Sequence, residues 1–348
     1  MKNRWFSSSP SALLGLDIGS AAVKALLLHP AETGFSVHGY AIEYLPENTL
    51  RNREILNFDA LSAAIKNIKR KLTVNKTPIA AAVSGSHVIT KVVQVEAQLN
   101  EFELEEQILL EVDSLLPFPL EDIYLDFETL GVSQTHHGKD DVLLTAAHRE
   151  LVDLRCTLLR EHKLEPAVMD VESHALVNAF LACTLSQPDT LDICLHIGYE
   201  TMLVCATSDG MLNYHKEHSF GCGQLLQDLQ ANSNMLQPQL VQALSEGTLE
   251  QTHLERSYPL FLQQCVQHIH RALQIMQSST SDYASRRLFI SGGICLLPNI
   301  AGDLSNELNE PITEFNPLPT LDPEQPQLGS QFTIAYGLSM RSTNPCHR

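Results

Sequence analysis

The most constraining feature of this chain is a pattern that it writes twice. Residues 12–18 (Ala-Leu-Leu-Gly-Leu-Asp-Ile) read as a buried strand that meets Gly19-Ser20 and returns over 21–28. Beyond the middle of the chain, residues 191–197 form a second apolar strand, which turns at Gly198 and returns over 201–207. A strand–glycine–strand opening in each half implies an internal duplication of an α/β unit. The 348 residues exceed one ordinary core, so two domains are expected.

The intervening pattern fits that frame. A strand over 35–44 precedes a helix over 58–72, whose Leu61, Ile65, Ile68 and Leu72 share one face. Segments 79–83 and 87–95 read as a strand pair around Ser84-Gly85-Ser86. Asn100 with Glu103 three residues on marks a helix start, with Leu104, Ile108, Val112 and Leu115 inward, and Pro117-Phe118-Pro119 ends that helix. Strands follow at 123–128 and 142–147, a helix at 149–163, a strand at 166–171 and a helix at 173–186, before a Gln187-Pro188-Asp189 linker. In the second half, Asp209-Gly210 is a hairpin signal leading to a strand at 211–218. Helices at 222–231, 237–245 and 254–279 come next, then a strand at 287–291, a helix at 298–309, a strand at 312–316 and a helix at 331–340. The expected division is a first lobe over 1–187 and a second over 188–348, the latter with a helical subdomain at 222–285.

Charge narrows the function. Asp and Glu number 41 against 23 Lys and Arg, a net −18, which opposes binding to phosphate backbones or anionic membranes. No window reaches the roughly 20 apolar residues of a membrane span, and the Ala12–Leu16 run is too short for a signal peptide. The eight cysteines, without any Cys-x-x-Cys, read as small buried hydrophobes of a reducing compartment. A cytoplasmic chain without direct membrane insertion is expected. The 15 histidines show no zinc spacing.

Four motifs carry chemistry. Gly15-Leu-Asp17-Ile-Gly19-Ser20-Ala-Ala-Val-Lys24 is a hairpin whose tip exposes N–H groups as an anion cradle. Asp17 suits a hydrated Mg²⁺ through metal-bound water, Ser20 a phosphate oxygen, and Lys24 a mobile positive charge. The bland reading is an ordinary hairpin with a surface Asp and Lys. Leu195-His196-Ile-Gly198-Tyr-Glu200-Thr201 is its counterpart. Ser291-Gly292-Gly293 lets a backbone lie against a flat ligand such as adenosine, and Gly221-Cys-Gly223 offers N–H groups at a helix start. Together the four point to a nucleotide cleft.

The two hairpins and the Ser-Gly-Gly turn resemble the actin/Hsp70/sugar-kinase ATPase superfamily. Within it, the chain resembles the PilM family of type IV pilus assembly in Leu14–Ser20, Val88–Lys91, Glu105–Gln107, Leu116-Pro-Phe-Pro-Leu-Glu-Asp122, Asp126-Phe127, Asp141–Ala147, Met169–Glu172, Arg271–Leu273 and Ala335–Leu338. The resemblance implies an actin-like two-lobed α/β fold of duplicated ribonuclease H-like units, with an FtsA-like inserted subdomain at about 92–148. It implies ATP and Mg²⁺ between the lobes, held by Asp17, Gly19, Ser20, Lys24, His196, Gly198, Glu200, Thr201, Gly221, Gly223, His268, Arg271, Gly292 and Gly293. It also implies a scaffold role. Family members bind the cytoplasmic N-terminal peptide of the inner-membrane protein PilN between the first lobe and the insert, and so are recruited to the membrane's inner face. Self-association into a ring and contact with pilus motor ATPases are left open as further partnerships, as is twitching motility as the process served.

The chain departs from the family pattern at His196, where Asp is usual. His268 likewise stands where Glu or Gln often precedes the adenosine-side Arg. Without that carboxylate, at most slow ATP hydrolysis is expected, and acid should favour nucleotide retention by protonating His196. A core position for His196 remains the alternative. Asp170 and Glu172 lie near the expected phosphate end, or simply cap a core edge, and Pro117–Pro119 is a docking rim or a helix stop. The competing functions are a catalytically active small-molecule kinase or ATPase and an FtsA-like division tether. The tether would want a basic amphipathic helix where this chain reads Ser342–Arg348.

Overall fold

A computed structural model describes residues 13–31, 34–75, 77–85, 88–133, 135–279, 283–321 and 326–341. Cys346 and the termini, on which the expectations about a leader and a terminal helix rest, lie outside them. The chain divides into two compact units, one of residues 1–82 with 159–348 and one of residues 83–158.

The first unit contains the duplication. Its strands β1 (Leu14–Ile18), β2 (Ala22–Pro30) and β3 (Phe35–Tyr44) form an antiparallel meander, joined through β1 by β6 (Pro78–Val83) and then β10 (Glu165–Val171) in the order β10-β6-β1-β2-β3. The second sheet repeats this with β11 (Thr190–Ile197), β12 (Met202–Ser208), β13 (Met211–His218), β14 (Ser285–Ser291) and β15 (Ile312–Glu314), in the order β13-β12-β11-β14-β15. In each sheet the hairpin's first strand pairs in parallel with the fourth strand, β6 or β14. The central strands β1 and β11 are buried along their whole lengths. Their near-continuous apolar runs reflect cover on both faces.

Helices fill that cover. α1 (Phe58–Leu72) buries Leu61, Ile65 and Ile68, and its N-cap Asn57 accepts from the Ala60 N–H at 3.0 Å, a cap worth about 1 kcal/mol. α4 (Glu172–Cys183) and α9 (Thr333–Ser339) lie against both sheets, where Phe180 meets Phe289 and Phe315 edge-on. Against the second sheet pack α5 (Gly223–Ser233), α6 (Gln237–Ser245), α7 (Gln251–Gln277) and α8 (Ile300–Leu308).

Three features differ from the sequence reading. Segment 333–339 belongs by sequence to the second half but packs on the first sheet, where Ser339 Oγ accepts from the Gly15 N–H and donates to the Leu26 carbonyl. All seven residues of α9 are buried, so no polar face announces where it docks. Next, β6 and β7 (Val88–Glu96) are not a hairpin. β7 joins β9 (Lys139–His148) and β8 (Ile123–Val132) in the three-stranded sheet of the second unit, in the order β7-β9-β8. Finally, β4 (Leu50–Arg51) and β5 (Glu54–Ile55) form a two-residue-stranded hairpin turning through Asn52 and Arg53 at φ 49° and 67°. Five cysteines, 194, 205, 222, 265 and 295, are buried as expected of small hydrophobes, whereas Cys183 is exposed.

The second unit holds this three-stranded sheet, helix α2 (Glu101–Leu115) and most of helix α3 (Arg149–Glu161). The Asn100–Glu103 capping box is formed, each backbone N–H donating to the other's side chain at 3.0 and 3.1 Å. Leu104 and Ile108 pack on Val93, Val95, Val142 and Leu144. The side chains of Val112 and Leu115 lie outside the described residues.

Among the described residues no helix is long and apolar enough to cross a membrane, and no group of three or more metal-ligating side chains gathers.

Candidate functional site

The duplicated hairpins meet at a cavity of about 100 Å³, wholly within the first unit and lined by Asp17, Gly19, Ser20, Lys24, His196, Gly198, Glu200, Thr201 and Gly293 among others. These are nine of the residues singled out from sequence. Strand geometry explains the convergence, because both hairpins end at the same edge of their sheets and turn through equivalent backbone bonds. Gly19 N–H donates to the Ala22 carbonyl at 3.1 Å, and Gly198 N–H to the Thr201 carbonyl at 2.9 Å.

Charges inside the cavity are paired. Lys24 Nζ sits 2.6 Å from Asp17 Oδ2, its cross-strand neighbour, and donates to the Gln331 carbonyl at 3.2 Å. Ser20 Oγ donates to Glu200 Oε2 at 2.8 Å, linking the two hairpin tips, while Asn52 N–H donates to Glu200 Oε1 at 3.3 Å. The β4–β5 turn supplies the residue that the sequence did not disclose. Arg53 reaches Glu172 at 2.8 and 3.1 Å and donates to Thr201 Oγ1 at 2.5 Å. Glu172, at the start of α4, thereby acquires a definite role as the counter-ion of Arg53. A left-handed non-glycine turn is unfavourable in itself. This one is held by an ion pair whose side chains are 12% and 8% exposed.

His196 is both a cavity residue and a buried one. Its Nδ1 lies 3.3 Å from Ser291 Oγ, which joins Thr333 Oγ1 and the Ser330 carbonyl in one buried network. Burial, and then the nearby Lys24 cation, push its pKa down to about 3. The ring is neutral throughout the physiological range, which overturns the expectation that mild acid protonates it against a phosphate.

The glycines divide in function. Gly292 is at φ +92°, and an added Cβ would stand 2.6 Å from the Ile197 carbonyl oxygen and 3.1 Å from the His196 ring. It lets the third motif press on the second hairpin. Beside Gly293 there is nothing within 4 Å of an added Cβ, so this glycine borders open cavity. Gly221 and Gly223 frame the start of α5, where the N–H groups of Cys222 and Gly223 donate to the carbonyls of Gly198 and Tyr199. These donors brace the hairpin and do not face a ligand.

Gly221, Gly223 and Gly292 are not among the cavity's lining residues, and neither are His268 and Arg271. His268 stacks on Phe220, ring centroids 4.3 Å apart, and Arg271 is exposed. α7 turns Cys265, Ile269 and Ala272 into the core, which leaves His268 and Arg271 beside β13, where they help depress the pKa of His218.

Apolar walls complete the site. Leu225 and Leu226 of α5, Val241 and Leu244 of α6, and Leu296 and Leu297 after Gly293 line the cavity. Leu244, Leu296 and Leu297 also border a second cavity of about 410 Å³ that reaches Gly247, Pro298 and Glu314. A polar end where three carboxylates face two cations, continued by an apolar slot beside an open glycine, suits a ligand with a polar head and a flat apolar body.

The family model described as type IV pilus assembly protein PilM matches residues 15–343. The chain belongs to the PilM family. It is similar to the solved PilM-PilN type IV pilus biogenesis complex at 22% identity and a TM-score of 0.78, over 97% of this chain and 100% of that one. The ethanolamine utilization protein EutJ from Carboxydothermus hydrogenoformans is similar at 11% identity and a TM-score of 0.55, over 94% of this chain and 90% of that one. The fold is the actin-like ATPase fold, and the protein is an actin-like protein of type IV pilus assembly.

Proposed function

We propose that this chain is an ATP-binding scaffold that holds the nucleotide as its Mg²⁺ complex, turns it over slowly, and docks the N-terminal cytoplasmic peptide of a PilN-type inner-membrane protein. Family membership and the similarity to the PilM-PilN complex support the partner. That partner would recruit it to the inner face of the membrane.

The observation that carries the nucleotide reading is the open space beside Gly293 on the same cavity as Gly19, Ser20 and Gly198. The residues fit the group. Gly293 and the leucines would accept the adenosine, and Ser20, Lys24 and the hairpin backbone the phosphates. The lining carries three carboxylates, Asp17, Glu172 and Glu200, against two cations, Lys24 and Arg53, with His196 neutral. That excess of negative charge opposes a bare polyphosphate and favours one bound with Mg²⁺. Mg²⁺ would supply charge neutralisation there, and Asp17 would receive its water shell.

Calorimetric titration with ATP tests this. Micromolar or weaker binding is expected in Mg²⁺ and loss of binding in EDTA. Gly293→Val should abolish binding while leaving the melting temperature of the free protein nearly unchanged, because its side chain enters empty space. Retained ATP binding by a folded Gly293→Val protein would refute the assignment. Pull-down with a PilN-type N-terminal peptide tests the partner separately.

A further inference from the structure

The second unit concentrates charge of one sign. Between Lys91 and Lys139 there is no lysine or arginine, yet there are eleven aspartates and glutamates. Six of these belong to the fifteen residues of α2, whose last turn holds no basic residue.

α2 also has apolar residues on two sides. Leu104 and Ile108 face the sheet. At about 100° per residue, Phe102 and Leu109 fall within about 20° of each other, with Leu110 about 80° further round. That sector lies opposite Leu104. These side chains are 67%, 42% and 85% exposed, so the stripe is unpartnered; Glu103 and Glu105, both exposed, flank it, and exposed Glu106 falls within it between Phe102 and Leu110. A helix needs one apolar face to stay on its sheet. A second one, rimmed by acids, is the pattern of a contact surface.

We propose that the outer face of α2 is a docking surface for a basic amphipathic helix of another protein. Apolar residues of the partner would cover Phe102, Leu109 and Leu110, and its lysines or arginines would meet Glu105 and Glu106. Charge selects this occupant. An anionic lipid surface would be repelled, and two copies meeting through this face would oppose like charges within a chain of net charge −18. The proposal goes beyond the function above and does not need the nucleotide cleft.

The test uses the full chain and an 18-residue amphipathic helix of leucine and lysine as the probe, with its leucine–glutamate counterpart as control. Binding of the lysine peptide alone is expected. The triple variant Phe102→Ser, Leu109→Ser, Leu110→Ser should weaken it at least tenfold, and Glu105→Gln with Glu106→Gln should weaken it several-fold and flatten its salt dependence. All five side chains are exposed, so unchanged circular dichroism and melting should accompany both variants. ATP binding should also be unchanged, which separates failure here from failure of the nucleotide reading. Absence of binding, or equal affinity for wild type and the serine variant, would overturn the proposal. So would self-association of the wild type, seen by sedimentation and lost in the serine variant, because the face would then cover itself.

Discussion

At Asp17 the first hairpin sets a carboxylate against Lys24 across the strand pair, whereas at the matching place the second hairpin sets His196 opposite Leu203. The backbones turn alike, each through a glycine N–H bonded three residues on. Their chemistry differs. The first hairpin carries an acid and a cation that pair with each other. The second is tied into the protein by Ser291, Cys222 and Gly223 and offers a neutral ring where a second acid would stand. Duplication thus preserves two hairpins on one cavity, while divergence leaves an acid–cation pair on one and a neutral buried ring on the other.

The largest expected effect comes from Arg53, which joins the β4–β5 turn to α4 and to the second hairpin. Arg53→Ala deletes the cation that pairs with buried Glu172 and the donor to Thr201. Breaking a buried pair in this way should destabilise the protein by about 3–5 kcal/mol, read from urea unfolding. A loss below ~1 kcal/mol, the scale of an exposed pair, would show that Arg53 does not brace the second hairpin.

Glu200→Gln addresses the bridge between the tips. Glutamine keeps a hydrogen-bonding partner for Ser20 but removes a negative charge from the phosphate end. ATP affinity should rise roughly tenfold, about 1.4 kcal/mol. Unchanged affinity would place the phosphates away from Glu200.

Stability against pH sharpens the histidine half of the comparison. His196 binds a proton more weakly folded, near pH 3, than unfolded, near ~6.5. The unfolded state therefore takes up more protons on acidification. The stabilising contribution is fully present above about pH 6.5 and is lost as pH falls toward 3, by up to ~1.4 kcal/mol per unit. His215 and His218, also depressed by burial, act in the same direction. His196→Asn should flatten this slope in guanidinium unfolding between pH 7 and 5. An unaltered slope would mean that His196 is hydrated and titrates normally.

Much of this was legible in the sequence, because it is local. The apolar period of α1, the Asn100–Glu103 capping box of α2, the Asp209-Gly210 turn and the twin hairpins each depend on neighbours in the chain. Arg53 was not legible, since its turn has arginine where glycine would signal it, and its strands are two residues long. Residues 79–95 read as a hairpin because both strands are apolar and separated by a glycine turn. Nothing local records that the second strand leaves for another sheet. His268 and Arg271 were placed by resemblance, and the helix phase set by Cys265, Ile269 and Ala272 directs them elsewhere.

The central claim is that the second hairpin limits turnover because His196 supplies no carboxylate. Single-turnover ATP hydrolysis by wild type and His196→Asp, at matched ATP occupancy in Mg²⁺, tests it most directly. Positioning and charge neutralisation dominate phosphoryl transfer, so the account predicts very slow wild-type turnover and an increase of roughly tenfold or more in the aspartate variant. Rapid hydrolysis by the wild type, with no gain or a loss in His196→Asp, would contradict it.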